Sequence, residues 1–551
     1  MAEHSLNKSP ERRFDKHIFV NQLGYLPCEK KVAVFNKETA TFKVADTSGK
    51  TILEGKTTKL GLDKYSEDEI WQGDFSQIKE RGSYNVYNDN GEKSLTFTIS
   101  ENVYDKSVYD ILKAFYYLRC GCELKEEHAG KFKHAECHTQ EALLWDNRDI
   151  SIDVSGGWHD AGDYGRYITP GCCALAHLLY SYKLYPNVLK DIKLDIPETN
   201  NKIPDILNEC RYELEWMFKM QTSDGGVYHK VTTIQHAPFI MPEDDKEQLY
   251  VFPVSSIATA DFCAVCALAS GIYREYDSEF ADKLYNASIR AYRWLNANTQ
   301  FIGFYNPEGC NTGPYCESDD KDNRFWAFCE LYALTGEKEY FEKLQEQLKY
   351  KFSLTGLGFA SVGGFGSLAY LLSNRNYDNS LTETIKNAFI AEAEKLKKFS
   401  DECGYRVAMT ERDYCWGSNM VLMKQGMHFA ITDLITKGND YYDYVASQYD
   451  YLLGVNATGY SYVSGSGEFC INYPHLRPAH ADGVEECIPG MVSGGPNRNP
   501  CPNDMEVLGY PEHLPPMKAF IDDVGCYSLN EITIYWNSPT VFTLCHILNN
   551  K

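Results

Sequence analysis

Two aspartates three residues apart are the first residues in this chain that could do chemistry. Asp160 and Asp163 lie in DVSGGWHDAGDYGRYITPG, which gathers glycines, aromatic residues and both carboxylates just before a predicted helix. At this spacing a single turn of chain could aim both at one water molecule and take its proton, as a general base in hydrolysis must. The alternative is that DAGD is a helix N-cap followed by a turn, because aspartate is favoured in both places. On this stretch alone, the structural interpretation is the better supported one.

A glutamate near the C-terminus is a second candidate. Glu531 lies in IDDVGCYSLNEITIYWNSPTVF, between a polar loop and an apolar helix. Without other context, Glu531 could simply be a first-turn residue that the helix dipole stabilises.

Two thiols and two imidazoles form a candidate metal site. Cysteine and histidine in this ratio are a normal tetrahedral donor set for structural zinc. The spacing is not that of a zinc finger, so four ordinary buried side chains remain the alternative. The residues are Cys120, Cys137, His138 and His159.

The elements that must position these residues change character near residue 100. HIFVNQ, KVAVFN, TFKVAD and SLTFTIS alternate apolar and polar residues, and Asn90-Gly91 is typical of a tight turn, so a small β-sandwich is predicted there. After Val103 apolar residues recur at helical spacing. Twelve helices are predicted, near residues 105–119, 171–185, 203–221, 255–276, 279–297, 321–335, 337–350, 365–373, 380–399, 417–437, 440–453 and 536–548. Periodicity leaves a closed barrel of paired helices and an open helical solenoid both possible.

Composition excludes some classes of function. The chain has 551 residues, enough for more than one domain. Acidic residues outnumber basic ones 77 to 54, and the net charge of -23 would repel nucleic-acid phosphates and anionic lipid. We find no apolar run long enough to span a bilayer, so neither nucleic acid nor a membrane is an expected partner. The oligomeric state is not indicated.

Cysteine usage and the N-terminus bear on localisation. Nineteen scattered cysteines, an odd number, favour reduced thiols over a disulfide framework. MAEHSLNKSPERRF has no hydrophobic stretch of the kind a secretory leader needs. We expect a cytoplasmic protein if this N-terminus is native, and a secreted one if a leader was removed.

Four motifs follow one another along the chain, and they are GGWHDAGDYGRY, PHLRPAHADG, GGPN and YSLNEITIYWNSP. In this order and near these separations, they resemble the motifs of glycoside hydrolase family nine, the inverting cellulases. FVNQLGYLP and WQGDFS are similar to the immunoglobulin-like module that one branch of the family carries. The resemblance covers nearly the whole chain. It implies a multidomain fold, with a small all-β immunoglobulin-like sandwich over 12–100 and a large all-α (α/α)6-barrel catalytic domain over 101–551.

The resemblance also implies catalytic roles. By motif position, Asp163 resembles the catalytic base, Asp160 the companion carboxylate that helps hold the water, and Glu531 the general acid. An inverting mechanism needs the base and acid carboxyls roughly 6.5–9.5 Å apart, so that a water fits between the base and the anomeric carbon. We expect apolar neighbours such as Ile532 and Trp536 to raise the pKa of Glu531 by desolvation.

Substrate contacts follow from the same motifs. His475 and Arg477 in YPHLRPAHADG match the family's sugar-contacting histidine and arginine, and a hydroxyl-rich substrate needs such fixed donors. The structural alternative is an Arg477 tied to Asp482. Flat rings suit the apolar faces of β-linked glucose, and Trp416 and Tyr527 are the rings expected near the cleft.

The resemblance implies a structural zinc ion. Cys120, Cys137, His138 and His159 match the zinc ligands of the immunoglobulin-bearing branch. Because His159 adjoins Asp160, the zinc would brace the catalytic loop rather than take part in cleavage.

Calcium is a weaker expectation. The family commonly has an Asp-Glu pair where this chain has Asp322-Asn323, and a later aspartate where it has Ser361. Losing carboxylates weakens calcium binding. A weak site could still form from Asp322 and Asn323 with the carbonyls of Ser318 and Asp319. The alternative is a solvated acidic loop.

The expected activity is endo-β-1,4-glucanase on cellulose-type glucans or cellodextrins. Within the enzyme class, the alternative is an exo-acting hydrolase of cellodextrins or glucosamine oligomers. Outside it, the alternative is a non-catalytic carbohydrate-binding protein. The presence of both aspartates and the glutamate in the family's motifs argues against that last possibility.

Overall fold

The computed structural model describes residues 14–373, 375 and 378–551. Within these residues, nine strands precede the first helix and five more lie between helices. The strands are β1 (Ile18–Phe19), β2 (Gly24–Tyr25), β3 (Val32–Phe35), β4 (Thr41–Asp46), β5 (Thr51–Lys56), β6 (Thr58–Leu62), β7 (Glu69–Asp74), β8 (Gly82–Asn88), β9 (Phe97–Ile99), β10 (Ala142–Leu144), β11 (Ser151–Ile152), β12 (Arg166–Tyr167), β13 (Lys230–Thr232) and β14 (Tyr250–Val251).

Helices are the main secondary structure after residue 104. They are α1 (Asp105–Tyr117), α2 (Glu126–Ala129), α3 (Ile168–Leu184), α4 (Pro186–Leu189), α5 (Asp205–Lys219), α6 (Ser256–Tyr273), α7 (Ser278–Ala297), α8 (Lys321–Thr335), α9 (Lys338–Gln347), α10 (Gly363–Leu372), α11 (Asn379–Glu402), α12 (Ser418–Thr436), α13 (Tyr442–Leu452), α14 (Arg477–Ala481), α15 (Pro502–Val507), α16 (Tyr527–Asn530) and α17 (Ile534–Asn549).

The chain divides into two units, and the first contains 1–114 and 393–551. Its N-terminal part is a sandwich of two sheets, with strand orders β1-β3-β7-β6 and β2-β9-β8-β4-β5. In β4 the alternation of the sequence places Phe42 and Val44 in the sandwich core, where they pack with Phe35 and Trp71. Helices α12, α13 and α17 pack on one another in the same unit.

The second unit, 115–392, is built from two kinds of helix. Helices α3, α6 and α8 are buried along nearly their whole length, whereas α5, α7 and α9 bury one face. Each one-faced helix packs on a fully buried one, α5 on α3, α7 on α6 and α9 on α8. Composition explains the burial of α3 and α6, because a helix that is apolar all round must be enclosed. Helix α8 also buries polar side chains, among them Asp322, Arg324 and Glu330. A small sheet of order β11-β10-β14-β13-β12 lies in the loops of this unit.

All twelve predicted helices are confirmed, most of them to within three residues at each end. The predicted turn is also confirmed, because Gly91 has φ +80° and its N–H donates to the Asn88 carbonyl. Five short helices, α2, α4, α14, α15 and α16, were not predicted, since four to six residues show no periodicity. The boundary predicted between residues 100 and 101 falls between β9 and α1 and stays a prediction.

One helix corrects the expectation that no apolar run could span a bilayer. Among the described residues, α6 is long and apolar enough to do so. However, 89% of it is buried inside the protein, where it packs against α3, α7 and α8. Helix α6 is therefore a core helix, and its apolar side chains pack against neighbouring helices.

Candidate active site

Asp160 is an enclosed carboxylate in the second unit, with an exposed fraction of 1%. Its backbone N–H donates to the Gly165 carbonyl over 3.0 Å, which closes the turn that carries both aspartates. The Tyr315 hydroxyl donates to Oδ2, and buried Oδ1 has no hydrogen-bond partner among the described residues. Burial, helped by the charge of Asp163, raises the pKa of Asp160 well above its usual range, although the Tyr315 hydrogen bond opposes the shift.

Asp163 has different surroundings. His236 Nδ1 lies 2.7 Å from Asp163 Oδ2, and the Tyr167 hydroxyl lies 3.4 Å from the same oxygen. Asp163 also lines a small pocket together with Thr233 and Thr312. An oriented carboxylate at a pocket wall, next to a second carboxylate, has the partners that a water-activating base requires.

Buried polar contacts hold the turn in place. Glu213 Oε2 accepts a hydrogen bond from the Trp158 N–H over 2.7 Å, and Arg166 donates to the carbonyls of Val154 and Gly156. Gly157 has φ +77°, and a Cβ there would lie 2.8 Å from the Trp216 ring. Glycine at this position therefore serves both a left-handed turn and a close approach to an aromatic ring.

Tyr315 has a strained backbone. Its φ is +42°, a region that costs a non-glycine residue about 1–2 kcal/mol. Its ring packs edge-on against Tyr167, with centroids 4.8 Å apart, while its hydroxyl reaches Asp160. Strain that surrounding contacts maintain is frequent at functional sites.

Tyr315 and His236 were not predicted from the sequence. Both lie outside the DAGD segment, and Tyr315 is 155 positions from Asp160. The available signal was weak. His236 directly precedes the Ala237-Pro238 step in a loop, and Tyr315 follows a Gly-Pro pair.

The two cysteines and two histidines come together as predicted. Their ligand atoms lie within 4.8 Å of one another, and all four side chains are buried. His138 Nε2 lies 3.2 Å from Asp245 Oδ2, which leaves Nδ1 directed to the cluster, 3.3 Å from His159 Nε2. Burial opposes ionisation of Cys120, but the Cys137 hydrogen bond and nearby positive charge outweigh it, so the pKa of Cys120 lies below its usual range. The cluster could hold a metal ion, and this donor set with an acid-oriented histidine fits tetrahedral coordination.

Glu531 lies in the first unit, where α16 ends. Its N–H donates to the Tyr527 carbonyl over 3.3 Å, and its carbonyl accepts from the Gly494 N–H over 2.8 Å. Ile532 and Trp536, the neighbours expected to desolvate it, are 0% and 3% exposed. Their effect on the pKa of Glu531 stays a prediction.

The predicted substrate contacts of the first unit gather around Tyr527. Its ring centroid lies 5.4 Å from that of Trp416 and 5.8 Å from that of His475. His475 pairs in a short β-bridge with Glu531, and its Nδ1 lies 2.7 Å from the Val524 carbonyl. Trp416 is 47% exposed, whereas Arg477 begins α14 and is 6% exposed. Two aromatic rings beside an imidazole suit contacts with sugar faces and hydroxyls.

The proposed calcium residues are largely engaged with the protein. Asp322 Oδ2 accepts from the Val362 N–H over 2.9 Å, and Asn323 Nδ2 donates to Asp261 Oδ1 over 3.0 Å. Burial raises the pKa of Asp322. Asp319 is exposed, as is Ser318, so the four residues do not share one environment. Calcium binding stays a prediction, and the solvated-loop alternative does not fit the buried pair.

Comparison with known proteins identifies the family. The family model described as "Glycosyl hydrolase family 9" matches residues 104–544, and "Cellulase N-terminal ig-like domain" matches residues 13–93. The chain belongs to glycosyl hydrolase family 9. This family 9 member is therefore a glycoside hydrolase with an immunoglobulin-like N-terminal module.

Relatives of this family 9 enzyme align over almost its full length. A "Cellodextrinase" from Butyrivibrio fibrisolvens is 45% identical, with 97% of this chain and 100% of the relative covered. "Endoglucanase D" from Acetivibrio thermocellus is 32% identical, with 98% and 84% covered.

Solved structures of family 9 members share its fold. A single-mutant thermostable endoglucanase from Alicyclobacillus acidocaldarius superposes with a TM-score of 0.91 at 32% identity, covering 97% of this chain and 99% of that one. A zinc-binding triple mutant of another family 9 endoglucanase gives 0.91 at 31% identity, covering 96% and 100%. The fold class is thus a small β-sandwich followed by an (α/α)6 barrel, which excludes the open solenoid.

Proposed function

We propose that this family 9 hydrolase cleaves β-1,4-glucosidic bonds in cellulose-type glucans and cellodextrins, with inversion and endo action. The observation that carries the proposal is the turn that holds Asp160 and Asp163 side by side in different surroundings, one enclosed beneath Tyr315 and one paired with His236. Two carboxylates of this kind, in a chain that aligns throughout with cellulases and a cellodextrinase, fit a water-activating site.

Asp163 would act as the general base. His236 and Tyr167 fix the direction of its Oδ2, so that the carboxylate has a defined orientation. Asp160 Oδ1 is a buried acceptor that a water hydroxyl could satisfy, while Tyr315 holds Oδ2. The water would give one proton to Asp163 and its oxygen to the anomeric carbon.

Glu531 would act as the general acid. A carboxylic acid that donates its proton to the leaving oxygen must stay protonated near neutral pH, and buried Ile532 and Trp536 favour the neutral form by desolvation. The rings of Trp416 and Tyr527 would stack on glucose faces, and His475 and Arg477 would hydrogen-bond to hydroxyls.

Zinc is the metal we propose for the cluster of Cys120, Cys137, His138 and His159. Two thiolates and two imidazoles leave no open position, so zinc would supply rigidity and no cleavage chemistry. Because His159 directly precedes Asp160, fixing its imidazole limits the positions that the first aspartate can take. Calcium at Asp322 and Asn323 is a weaker proposal, since their side chains already have protein partners.

A second candidate is exo action on cellodextrins. The observation that favours it is the 45% identity, over whole chains, with a protein named "Cellodextrinase". Such an enzyme would prefer short soluble oligomers to polymer. Glucosamine oligomers are a further candidate substrate of an exo-acting enzyme.

The test is a time course on cellohexaose, carboxymethylcellulose and chitosan oligomers, followed by chromatography, viscometry and proton NMR. Endo action predicts an early fall in viscosity and mixed internal products, with the α-anomer formed first. A single repeated small product and constant viscosity would favour exo action. Binding without turnover of any substrate would leave only a carbohydrate-binding role.

A further inference from the structure

Lys230 is a buried cation beside the catalytic turn that the mechanism above does not use. Its side chain lies on β13 and is 0% exposed. Among the described residues, no ion pair includes it. An ammonium is expensive to bury unless hydrogen bonds replace its hydration, so its surroundings must supply acceptors.

The acceptors come from one loop, residues 306–313. Lys230 Nζ donates to Asn306 Oδ1 over 2.8 Å, to Thr312 Oγ1 over 2.9 Å and to the Gly313 carbonyl over 2.9 Å. An ammonium has three protons, and these three short contacts use them all. The ring of Phe252 lies below, with its centroid 4.6 Å from Nζ, and contributes a cation–π contact.

The same loop leads directly to Tyr315, and neighbouring contacts fix its end. His229 Nε2 lies 2.9 Å from the Pro314 carbonyl, and the Gly313 N–H donates to the Tyr167 hydroxyl over 3.1 Å. Consecutive carbonyls at 313 and 314 are therefore held by Lys230 of β13 and by His229, which directly precedes that strand. Both carbonyls lie just before the residue with φ +42°.

Burial supports the interpretation that Lys230 depends on this loop. It lowers the pKa of Lys230 to about 8, with the Cys310 thiol and Asp163 acting in the opposite direction. An apolar side chain would fill the same volume without that desolvation cost. Packing alone would therefore not require a lysine here, whereas the hydrogen bonds to the loop do require one.

We propose that Lys230 is a positioning residue for hydrolysis, which clamps the 306–313 loop so that Tyr315 holds Asp160 in its catalytic orientation. This inference rests on the proposed function, because Asp160 matters only if water is activated at the turn. Lys230 acts through Tyr315 and touches neither the sugar nor the water.

A double-mutant cycle tests it. Lys230→Met should lower kcat on cellopentaose about 10- to 100-fold with little change in KM, because a small misplacement of a catalytic group is costly while sugar contacts are kept. Tyr315→Phe should lower kcat to a similar extent. The double variant should be no slower than the slower single variant, since either substitution alone already removes the connection from Lys230 through Tyr315 to Asp160. A loss equal to the product of the single losses, or an unchanged kcat in Lys230→Met, would overturn the proposal.

Hydrogen–deuterium exchange gives a readout that is independent of activity. Lys230→Met should speed exchange of amides in 306–316, and unchanged exchange there would reject the clamp even if the wild type proved inactive on glucans. An inactive wild type with the faster exchange would instead reject the proposed function and keep the clamp. If Lys230→Met does not fold, Thr312→Val removes one acceptor and should give a smaller change of the same kind.

The matched control is Lys31→Met. Lys31 is also a buried lysine with carbonyl partners, Glu29 at 2.7 Å and Pro27 at 3.1 Å, but it belongs to the sandwich. The Lys31→Met substitution should lower Tm without lowering kcat. An equal fall in kcat in Lys31→Met would mean that loss of stability alone explains the effect at Lys230.

Discussion

At the scale of single residues, environment separates the two aspartates of the DAGD turn. Asp160 is enclosed and its pKa is raised by burial, whereas the Oδ2 of Asp163 lies 2.7 Å from the Nδ1 of His236. Neighbouring carboxylates take different roles when their surroundings differ in this way. These different surroundings support our proposal that Asp163 is the base and that Asp160 helps to hold the water.

Asp163→Asn tests this division. An amide cannot accept the water's proton, so we expect kcat to fall about 10²- to 10⁴-fold with KM little changed. Steady-state kinetics on cellopentaose measures both. His236→Ala should have a smaller effect in the same direction, because it removes only the orienting partner. A larger effect at His236 than at Asp163 would contradict the assignment of the base.

Glu531→Gln tests the acid. Glutamine keeps the volume and much of the hydrogen bonding but has no proton to give, so turnover should fall about 10²- to 10⁴-fold while oligosaccharide binding persists. Calorimetric titration with cellotetraose and a rate assay report the two effects separately. Glu402→Gln, an exposed carboxylate at the end of α11, is the matched control and should leave both unchanged. Normal activity in Glu531→Gln would end its candidacy.

At the scale of elements, the Cys/His cluster and the DAGD turn are one continuous structure. His159 belongs to the cluster and its neighbour Asp160 to the site, so a shift of one backbone position moves both. The cluster also ties the segment around Cys120 to the segment around Cys137. Structural metal sites stabilise folds by this kind of cross-link.

Cys137→Ser should release the metal. We expect the wild type to contain about one zinc ion per chain and the variant much less, with Tm lowered by about 5 °C or more. Inductively coupled plasma mass spectrometry and thermal denaturation measure these quantities. Cys122→Ser, which changes a nearby thiol outside the cluster, should keep its zinc. Equal metal content in wild type and Cys137→Ser would rule out this cluster as the zinc site.

At the scale of the whole molecule, the sandwich is joined to helical segments of the first unit by buried polar contacts. Asn21 Nδ2 donates to Asp450 Oδ1 over 2.9 Å, and Gln22 Nε2 donates to the Gly459 carbonyl over 2.8 Å. Glu29 lies in the same region and accepts from Tyr104. Polar groups buried at such a junction must stay paired, so the two parts should unfold together.

The junction predicts a pH dependence of stability. Burial, with the charge of Asp450, raises the pKa of Glu29 to about 8, and burial raises that of Asp450 to about 6. The folded state keeps protons that the unfolded chain releases near pH 4, so this stabilisation is complete below that pH and is lost as pH rises through 6 to 8. Glu29→Gln should reduce the loss of stability between pH 6 and 8.5 by about 1 kcal/mol or more. Urea denaturation at several pH values measures it, with Glu54→Gln as the exposed control. Parallel curves for wild type and Glu29→Gln would contradict the linkage.

Much of the architecture was predictable because its signals are local. Apolar spacing of three and four residues predicted twelve helices, and alternation predicted strands β1, β3, β4 and β9. Strands β2 and β5 to β8 and the small sheet of the second unit were missed. Several of those strands are only two or three residues long, and β5 and β6 have no buried residue, so the apolar–polar alternation does not develop.

The sequence by itself determined the residue types that can do the chemistry and, through motif order, the family that uses them. It also indicated four candidate metal ligands, although their spacing is not that of a zinc finger. Only the tertiary structure decided what surrounds the two aspartates. Tyr315, His236 and Lys230 lie in separate loops and strands, and no local sequence pattern predicts their place near the aspartates. Their burial and their hydrogen bonds to neighbouring residues exist only once remote segments have packed together.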